Sequence, residues 1–393
     1  MQFVSESLAI YLHIPFCTTK CSYCAFNTYT HLENWIEPFV NAMIREIEWV
    51  GASNPYTQVP SVFYGGGTPS LLTVEQFERL NAAIRENFPV NADAEWTLEA
   101  NPNDLHFEYL QGLREKAGFN RISIGMQTTM ANELVLFNRR HDNDAVARAV
   151  FEARRAGFNN LNLDLIYGFP HQTLETWENT LQQAVVLKPQ HLSLYALGVE
   201  EGTSMKTWIE RGRIPAPDDD LAADMYDLAT DFLGKQGFHQ YEISNWAQDG
   251  FECRHNLQYW WNDPYVGLGP GAHGFASGTR YSVLLSPQRY VKGLLQNDRE
   301  NQLKFPRTPV TEEAHDLDQD DEIIETLLMG LRLTTRGVSV EGFRQRFGLD
   351  MLDYREGMLK KHIQTGLLEV NHDVVRLTEQ GRLLSNIIFR DLV

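Results

Sequence analysis

Basic residues are scarce in this 393-residue chain: 34 Lys and Arg stand against 52 Asp and Glu, a formal net charge of −18. Phosphate backbones are held by concentrated Lys and Arg, so this deficit argues against a nucleic-acid partner. It also disfavours broad adhesion to an anionic lipid surface, leaving room only for a local peripheral contact. Cysteine is scarcer still, at four residues, too few for a disulfide framework in a chain this long. No uninterrupted apolar run approaches the roughly 18 residues a membrane span needs. Met1 to Pro15 lacks a basic leader and a small-residue cleavage site, so no signal peptide is expected. Long-period repeats and low-complexity tracts are missing too. The expectation is a cytoplasmic protein in a reducing compartment.

What is present is ordinary in bulk and unusual in detail. Hydrophobic content of 43% and charged content of 22% fit a globular protein. The length suits one large domain with one or two smaller ones. From residue 8 to 196, short β-branched or aromatic runs alternate with helical patterns. The runs Ala9–His13, Ser61–Tyr64, Trp96–Glu99, Arg121–Gly125, Asn160–Ile166 and His191–Ala196 predict six strands. Strands separated by helices imply parallel pairing with right-handed crossovers, hence an α/β fold forming an incomplete six-unit barrel or a strongly curved sheet. Ligands of such folds gather at the C-terminal ends of the strands. The chemically suggestive residues fall there: Cys17, Gly65 to Pro69, Glu99, Gln127, Asp164 and Ala196 each lie at or just beyond the end of a strand.

We expect three regions: a partial barrel over 1–200, an extension over 201–305 rich in Trp, Tyr, Gly and Asn, and a C-terminal domain over 306–393. In the last, three helical patterns precede two short apolar runs, suggesting a winged-helix-like α+β domain. No clear basic recognition helix accompanies it, so a packing module is expected rather than a DNA reader.

Three of the four cysteines form Cys17-Thr-Thr-Lys-Cys21-Ser-Tyr-Cys24. This spacing lets one short loop wrap three thiolates around a corner of a [4Fe–4S] cube, leaving the fourth iron open. A structural zinc site takes four protein ligands, and here Cys253 or His13 would have to complete it. Tyr64-Gly-Gly-Gly-Thr-Pro69 removes Cβ atoms where a strand meets the rim, which permits close approach of a ligand or merely a tight turn. Glu99, Gln127, Arg139 and Asp164 singly suit caps and ion pairs. As a ring around one cleft they suit a nucleoside with an amino-acid tail. Cys253-Arg-His-Asn-Leu-Gln-Tyr-Trp260 offers His255 as an axial heme ligand beside flat aromatic rings. From the residues alone the favoured reading of this histidine is a satisfied member of a packed aromatic cluster, since such clusters are mostly core.

Together, Tyr11-Leu-His-Ile-Pro-Phe-Cys-Thr-Thr-Lys-Cys-Ser-Tyr-Cys24, Gly65-Gly-Gly-Thr-Pro69 and Asp164-Leu-Ile-Tyr-Gly168 resemble the radical SAM family of the oxygen-independent coproporphyrinogen III dehydrogenase type. The resemblance spans nearly the whole chain. It implies a (β/α)6 radical SAM barrel, a [4Fe–4S] cluster on Cys17, Cys21 and Cys24, and S-adenosylmethionine bound at the open iron. By position in the motifs, Tyr11, Gly66 and Glu99 would contact that cofactor. Tyr23, Gly67, Thr68, Gln127, Arg139 and Asp164 match contacts to a second cofactor molecule. The dehydrogenases carry a fourth cysteine two residues beyond the third, where this chain has Phe26. The Cys24-Ala-Phe26 ending and His255-Asn-Leu-Gln-Tyr-Trp260 resemble the related heme chaperones (HemW type) instead. That implies a protein that binds heme, with His255 as a contact, and passes it to an acceptor protein. The alternatives are oxidative decarboxylation of coproporphyrinogen III or radical chemistry on another substrate.

Overall fold

The computed structural model describes residues 6–296 and 303–393. The first five residues of the N-terminal stretch and residues 297–302 near the expected boundary lie outside the described residues. Six consecutive parallel strands appear in the expected order: β1 (Ala9–Ile14), β2 (Val59–Gly66), β3 (Val90–Ala100), β4 (Arg121–Gln127), β5 (Leu161–Tyr167) and β6 (His191–Ala196). Between them run α1 (Ile36–Gly51), α2 (Val74–Asn87), α3 (Phe107–Gly112), α4 (Ala131–Leu136), α5 (Asn143–Arg155) and α6 (Leu174–Val186). Local chemistry sets their limits. On α1, Phe39, Val40, Met43, Ile47 and Val50 recur at helical spacing and are buried, which fixes the face turned to the sheet. At α2, the Thr73 hydroxyl accepts from Gln76 N while Gln76 Oε1 accepts from Thr73 N, a reciprocal cap.

The sheet has two unlike faces. Trp96, Leu98, Ile122, Ile124, Leu161 and Leu163 join the large core beneath the helices. By alternation, Glu95, Thr97, Glu99, Arg121, Ser123, Asn162, Asp164, His191 and Ser193 face the barrel lumen. The outer face is therefore apolar and the inner one polar.

After Gly198 the chain widens this same sheet. Helices α7 (Ser204–Glu210) and α8 (Asp219–Lys235) lead to β7 (His239–Glu242) and β8 (Asn245–Ala247), which continue the sheet beyond β6 in antiparallel sense. Helix α9 (Arg254–Trp260) then carries the chain across the N-terminal end of the barrel to the opposite edge. There β9 (Tyr265–Leu268) pairs parallel with β1, followed by β10 (His273–Ala276), β11 (Thr279–Val283), α10 (Pro287–Leu295) and β12 (Thr311–Asp316). The result is one open twelve-stranded sheet, β12-β11-β10-β9-β1-β2-β3-β4-β5-β6-β8-β7. It runs on to Asp316, past the boundary expected at 306.

A smaller module completes the fold. It comprises α11 (Gln319–Gly330), β13 (Val338–Ser339), α12 (Val340–Phe347), α13 (Tyr354–Gln364), β14 (Leu368–Asn371), β15 (Val374–Leu377), α14 (Glu379–Leu383) and α15 (Ser385–Leu392). Three strands pair as β13-β15-β14. A separate core holds it together, with Ile323, Leu327, Phe343, Phe347, Leu359 and Val375 among its members. Among the described residues no helix is long and apolar enough to cross a membrane.

Candidate cluster and cofactor cleft

The loop after β1 is pinned before it delivers its cysteines. Cys17 N donates to Tyr29 O at 2.9 Å, and Asn27 Nδ2 donates to Pro270 O and Leu285 O, each at 2.9 Å. His13 Nε2 lies 2.9 Å from Asn27 O, a carbonyl that can only accept, so Nε2 carries the proton. Nδ1 is then the acceptor for the Tyr11 hydroxyl at 3.0 Å. Neither Tyr11 nor His13 lines the cavity; they brace the loop from below.

The glycines of the second strand end are required by this loop. A Cβ on Gly67 would stand 2.6 Å from Phe16 O, 2.9 Å from Ile14 O and 3.0 Å from Cys17 Sγ. Gly66 has φ +112°, and a Cβ there would meet the His13 ring at 2.6 Å. Its freed N–H donates to Glu99 Oε2 at 3.2 Å.

Cys17, Cys21 and Cys24 stand at one side of a cavity of about 480 Å³. Tyr23, Gly66, Gly67, Thr68, Glu99, Gln127, Arg139, Asp164 and Ala196 all line it. The structure therefore gathers the expected ring, leaving out Tyr11 and His255. Among the donors that reach the sulfurs are Thr68 Oγ1, 3.5 Å from Cys17 Sγ, and Arg139 Nη1, 3.6 Å from Cys21 Sγ. Such donors suit thiolate ligands of an iron–sulfur cluster, whose excess negative charge they offset. Burial pushes the Cys17 and Cys24 thiols up, and their neighbouring thiols add to it. Bound iron would be the countercharge that keeps them ionised. Cys253 is buried on the far side of the barrel and does not join them.

Arg139 is fixed by Gly125 O, to which Nη2 donates at 2.8 Å, while its buried Nε has no partner among the described residues. Gln127 holds φ +66°, a conformation that non-glycine residues rarely adopt, and its amide approaches Gly125 beside Arg139. On the floor, Asp164 accepts from Ser123 Oγ and Asn162 Nδ2, both at 2.8 Å. Burial raises its carboxyl despite these donors. Burial, and then the Asp164 charge, push Glu99 up to about 8, against the pull of the Gly66 N–H. Two acids of raised affinity for protons beside a buried guanidinium can receive a zwitterionic ligand: the acids take an ammonium, the arginine a carboxylate. The residues present therefore fit S-adenosylmethionine as well as the cluster.

Asn101 and Tyr195, which the sequence places at the same rim, line the cavity too, whereas sequence reasoning missed Ser123, Asn138, Arg140 and Glu200 among others. Ser123 was within reach, because it alternates with Gly125 on β4. Phe26 lies at the mouth, 68% exposed.

His255 is elsewhere. It sits on α9 at the other end of the barrel, 1% exposed. Nδ1 lies 3.0 Å from Ser61 Oγ and Nε2 2.8 Å from Tyr259 OH. Its ring stacks on Phe63 with centroids 5.0 Å apart. Burial, helped by the Arg121 charge, lowers it to about 3, so the imidazole is neutral. In this seat both ring nitrogens are taken.

The model of the radical SAM superfamily matches residues 11–184, and that of the HemN C-terminal domain matches residues 317–384. A Bacillus subtilis protein named heme chaperone HemW is 36% identical over 380 residues, covering 96% of this chain and 97% of its own. The Escherichia coli protein of the same name is 33% identical over 383 residues, covering 96% of each. Among solved structures, coproporphyrinogen III oxidase (HemN) from Escherichia coli, described as a radical SAM enzyme, superposes with a TM-score of 0.83 at 26% identity. That match covers 98% of this chain and 90% of HemN. Likeness at this identity over nearly the full length of both partners is family membership, and the chain belongs to the HemW family of radical SAM proteins.

Proposed function

We propose that this protein is a cytoplasmic heme chaperone that binds heme and hands it to an acceptor protein. Cys17, Cys21 and Cys24 hold a [4Fe–4S] cluster, and the cleft beside them holds S-adenosylmethionine. The observation that carries the reading is full-length similarity to proteins named heme chaperone, in a chain with Phe26 where the dehydrogenases place a fourth cysteine. When bound, cluster and cofactor together supply a one-electron route to a carbon-centred radical. The chain's own residues bind and orient: Glu99 and Asp164 face an ammonium, Arg139 faces a carboxylate and Cys21, and Gly66 and Gly67 let the ligand approach the cluster loop. Neutral imidazole is a good iron ligand, so His255 is the proposed heme contact. Tyr259 or Ser61 must release a ring nitrogen for heme to be taken there. Coproporphyrinogen decarboxylation is the second reading, favoured by the TM-score of 0.83 to HemN.

The test is an anaerobic hemin titration of cluster-loaded protein, followed in the Soret band beside His255→Ala. Saturable one-to-one binding that the substitution weakens at least tenfold, with iron and sulfide content unchanged, is the expected result. Wild-type protein that binds no hemin specifically but turns over coproporphyrinogen III would replace the chaperone with the enzyme.

A further inference from the structure

Behind the cavity floor, three polar side chains follow one another from strand to strand. Asn162 lies two residues before Asp164 on β5, His191 is its direct partner on β6, and Tyr241 stands on β7. All three are buried, and none lines the cavity. Asn162 Nδ2 lies 2.8 Å from Asp164 Oδ1, and Asn162 Oδ1 lies 2.6 Å from His191 Nδ1. His191 Nε2 lies 2.9 Å from Tyr241 OH. Apolar side chains would fill such a space without any need for partners, so the run of polar groups needs a reason.

Chemistry fixes the direction of every bond. An ionised Asp164 can only accept, so the Asn162 amide turns Nδ2 to it and Oδ1 to His191. That amide oxygen can only accept as well, which places the imidazole proton on Nδ1. Nε2 is left as the acceptor, and the Tyr241 hydroxyl donates to it. Burial, and after it the Arg121 and His239 charges, hold His191 well below its ordinary value, so the ring is neutral and carries a single proton. Each group therefore donates toward Asp164. Ser123 Oγ donates to the other carboxylate oxygen, Oδ2, at 2.8 Å, and itself lies 2.7 Å from Asn162 Nδ2. Ser193 Oγ, 3.0 Å from the same nitrogen, completes the seat of the amide. The carboxylate is thus held at both oxygens, and its Asn162 support is oriented in turn by His191.

We propose that His191 is a positioning residue for the cofactor: through Asn162 it fixes the Asp164 carboxylate in the orientation that receives S-adenosylmethionine. This rests on the reading above in which Asp164 faces the ammonium of that cofactor. Tyr241 selects the tautomer in which His191 donates, so a side chain on β7 that never touches the ligand bears on its affinity. A partner behind one ring nitrogen sets what the other nitrogen offers ahead of it.

The test is the S-adenosylmethionine affinity of the cluster-loaded full chain, read by equilibrium dialysis in a double-mutant cycle with Asp164→Asn. His191→Leu is expected to weaken binding about fivefold, the worth of one hydrogen bond. His191→Asn, whose Nδ2 falls where Nδ1 stood, is expected to restore most of that loss. In the Asp164→Asn background, His191→Leu is expected to cost less than about twofold, because the group it acts through is gone. Tyr241→Phe removes one oxygen and is expected to show the same pattern at about two- to threefold. It carries the cycle if His191→Leu does not fold. Iron content and melting temperature report folding in each variant. Wild-type affinity in folded, cluster-loaded His191→Leu would overturn the proposal. A loss of equal size with and without the Asp164 charge would overturn it too, since general loosening of the barrel gives that result. Wild-type protein that does not bind S-adenosylmethionine, or Asp164→Asn that binds it as well as the wild type, defeats the reading of Asp164 as a cofactor contact, and the role of His191 falls with it.

Discussion

Glu99 ends β3 with its carboxylate facing Asp164 across the cavity floor, and the two acids raise each other's cost of ionisation. Glu99 rises from 4.5 to about 8, mainly by burial. Between those values the folded chain keeps a proton that the unfolded chain has released. Stability contributed at this position is therefore full below about pH 4.5 and is lost as pH climbs to about 8. Glu99→Gln, neutral at every pH, is expected to flatten this fall. Its melting temperature should exceed that of the wild type by a few degrees at pH 8 and match it closely near pH 5. The comparison is made on cluster-loaded protein without S-adenosylmethionine, because a bound ammonium would favour the ionised acid. Glu46 and Glu133, each raised to about 7, slope the same way in both proteins and cancel in the difference. Parallel pH profiles would show that Glu99 is solvated. At this scale, the sequence made the cleft legible wherever chemistry is carried by rare residues at fixed spacing: the cysteine loop, Gly66 and Gly67, Glu99, Asp164. What anchors Arg139, the Gly125 carbonyl and Cys21 Sγ, was not legible, because those partners meet it only in the fold.

Among the elements, α9 decides how heme binding and the structure fit together. The capping box at Thr73 and the apolar period of α6 identify their helices to the residue, since a cap or a stripe is written locally. Helix α9 has neither. It is seven residues long, its Cys253 cap makes no side-chain hydrogen bond, and its rings follow the surfaces on either side. His255 and Tyr259, one helical turn apart, face the barrel together, while Trp260 lies under Arg332 of the C-terminal module at 5.0 Å. Tyr259 OH is the group that occupies His255 Nε2, at 2.8 Å. Tyr259→Phe keeps the ring and its edge contact with Tyr265 but frees that nitrogen. If Nε2 is the atom offered to iron, hemin affinity should rise about fivefold, the worth of one hydrogen bond near 1 kcal/mol. Stopped-flow or equilibrium Soret titration reads the change, and unchanged hemin affinity would move the iron ligand away from Nε2.

Across the whole molecule, the cluster cleft and α9 lie at opposite ends of β2, from Gly66 to Ser61, roughly five residues or ~16 Å apart. The six parallel strands that separate them were legible because each is a compact apolar run followed by a helix. The outer strands β7 to β10 were not, being three or four residues long and rich in Gly, Trp and Tyr, with pairing set by partners far along the chain. Strand β11 and the turn after α9 are what join the C-terminal module to the α9 end of the barrel. Arg280 on β11 holds Glu325 on α11 through two parallel hydrogen bonds and also donates to Tyr265 OH at 3.1 Å. Asn262, just past α9, donates to Thr326 at 3.1 Å and receives Arg346 on its carbonyl at 3.3 Å. The module thus clamps α9 against the barrel, and any exposure of His255 to a macrocycle has to work against that clamp. Glu325→Gln keeps the shape of the side chain and removes its charge, leaving Arg280 half-buried beside Tyr265 without its countercharge. A pair of this burial is worth about 1–3 kcal/mol, between the limits for exposed and buried pairs. Melting temperature should fall accordingly, and hemin should associate several-fold faster because α9 is held less firmly. Iron, sulfide and S-adenosylmethionine binding should stay at wild-type levels, since none of the cleft residues touches this pair. A lower melting temperature with unchanged hemin association would mean that the module stabilises the fold without restraining α9, and that heme reaches its site by a path the clamp does not control.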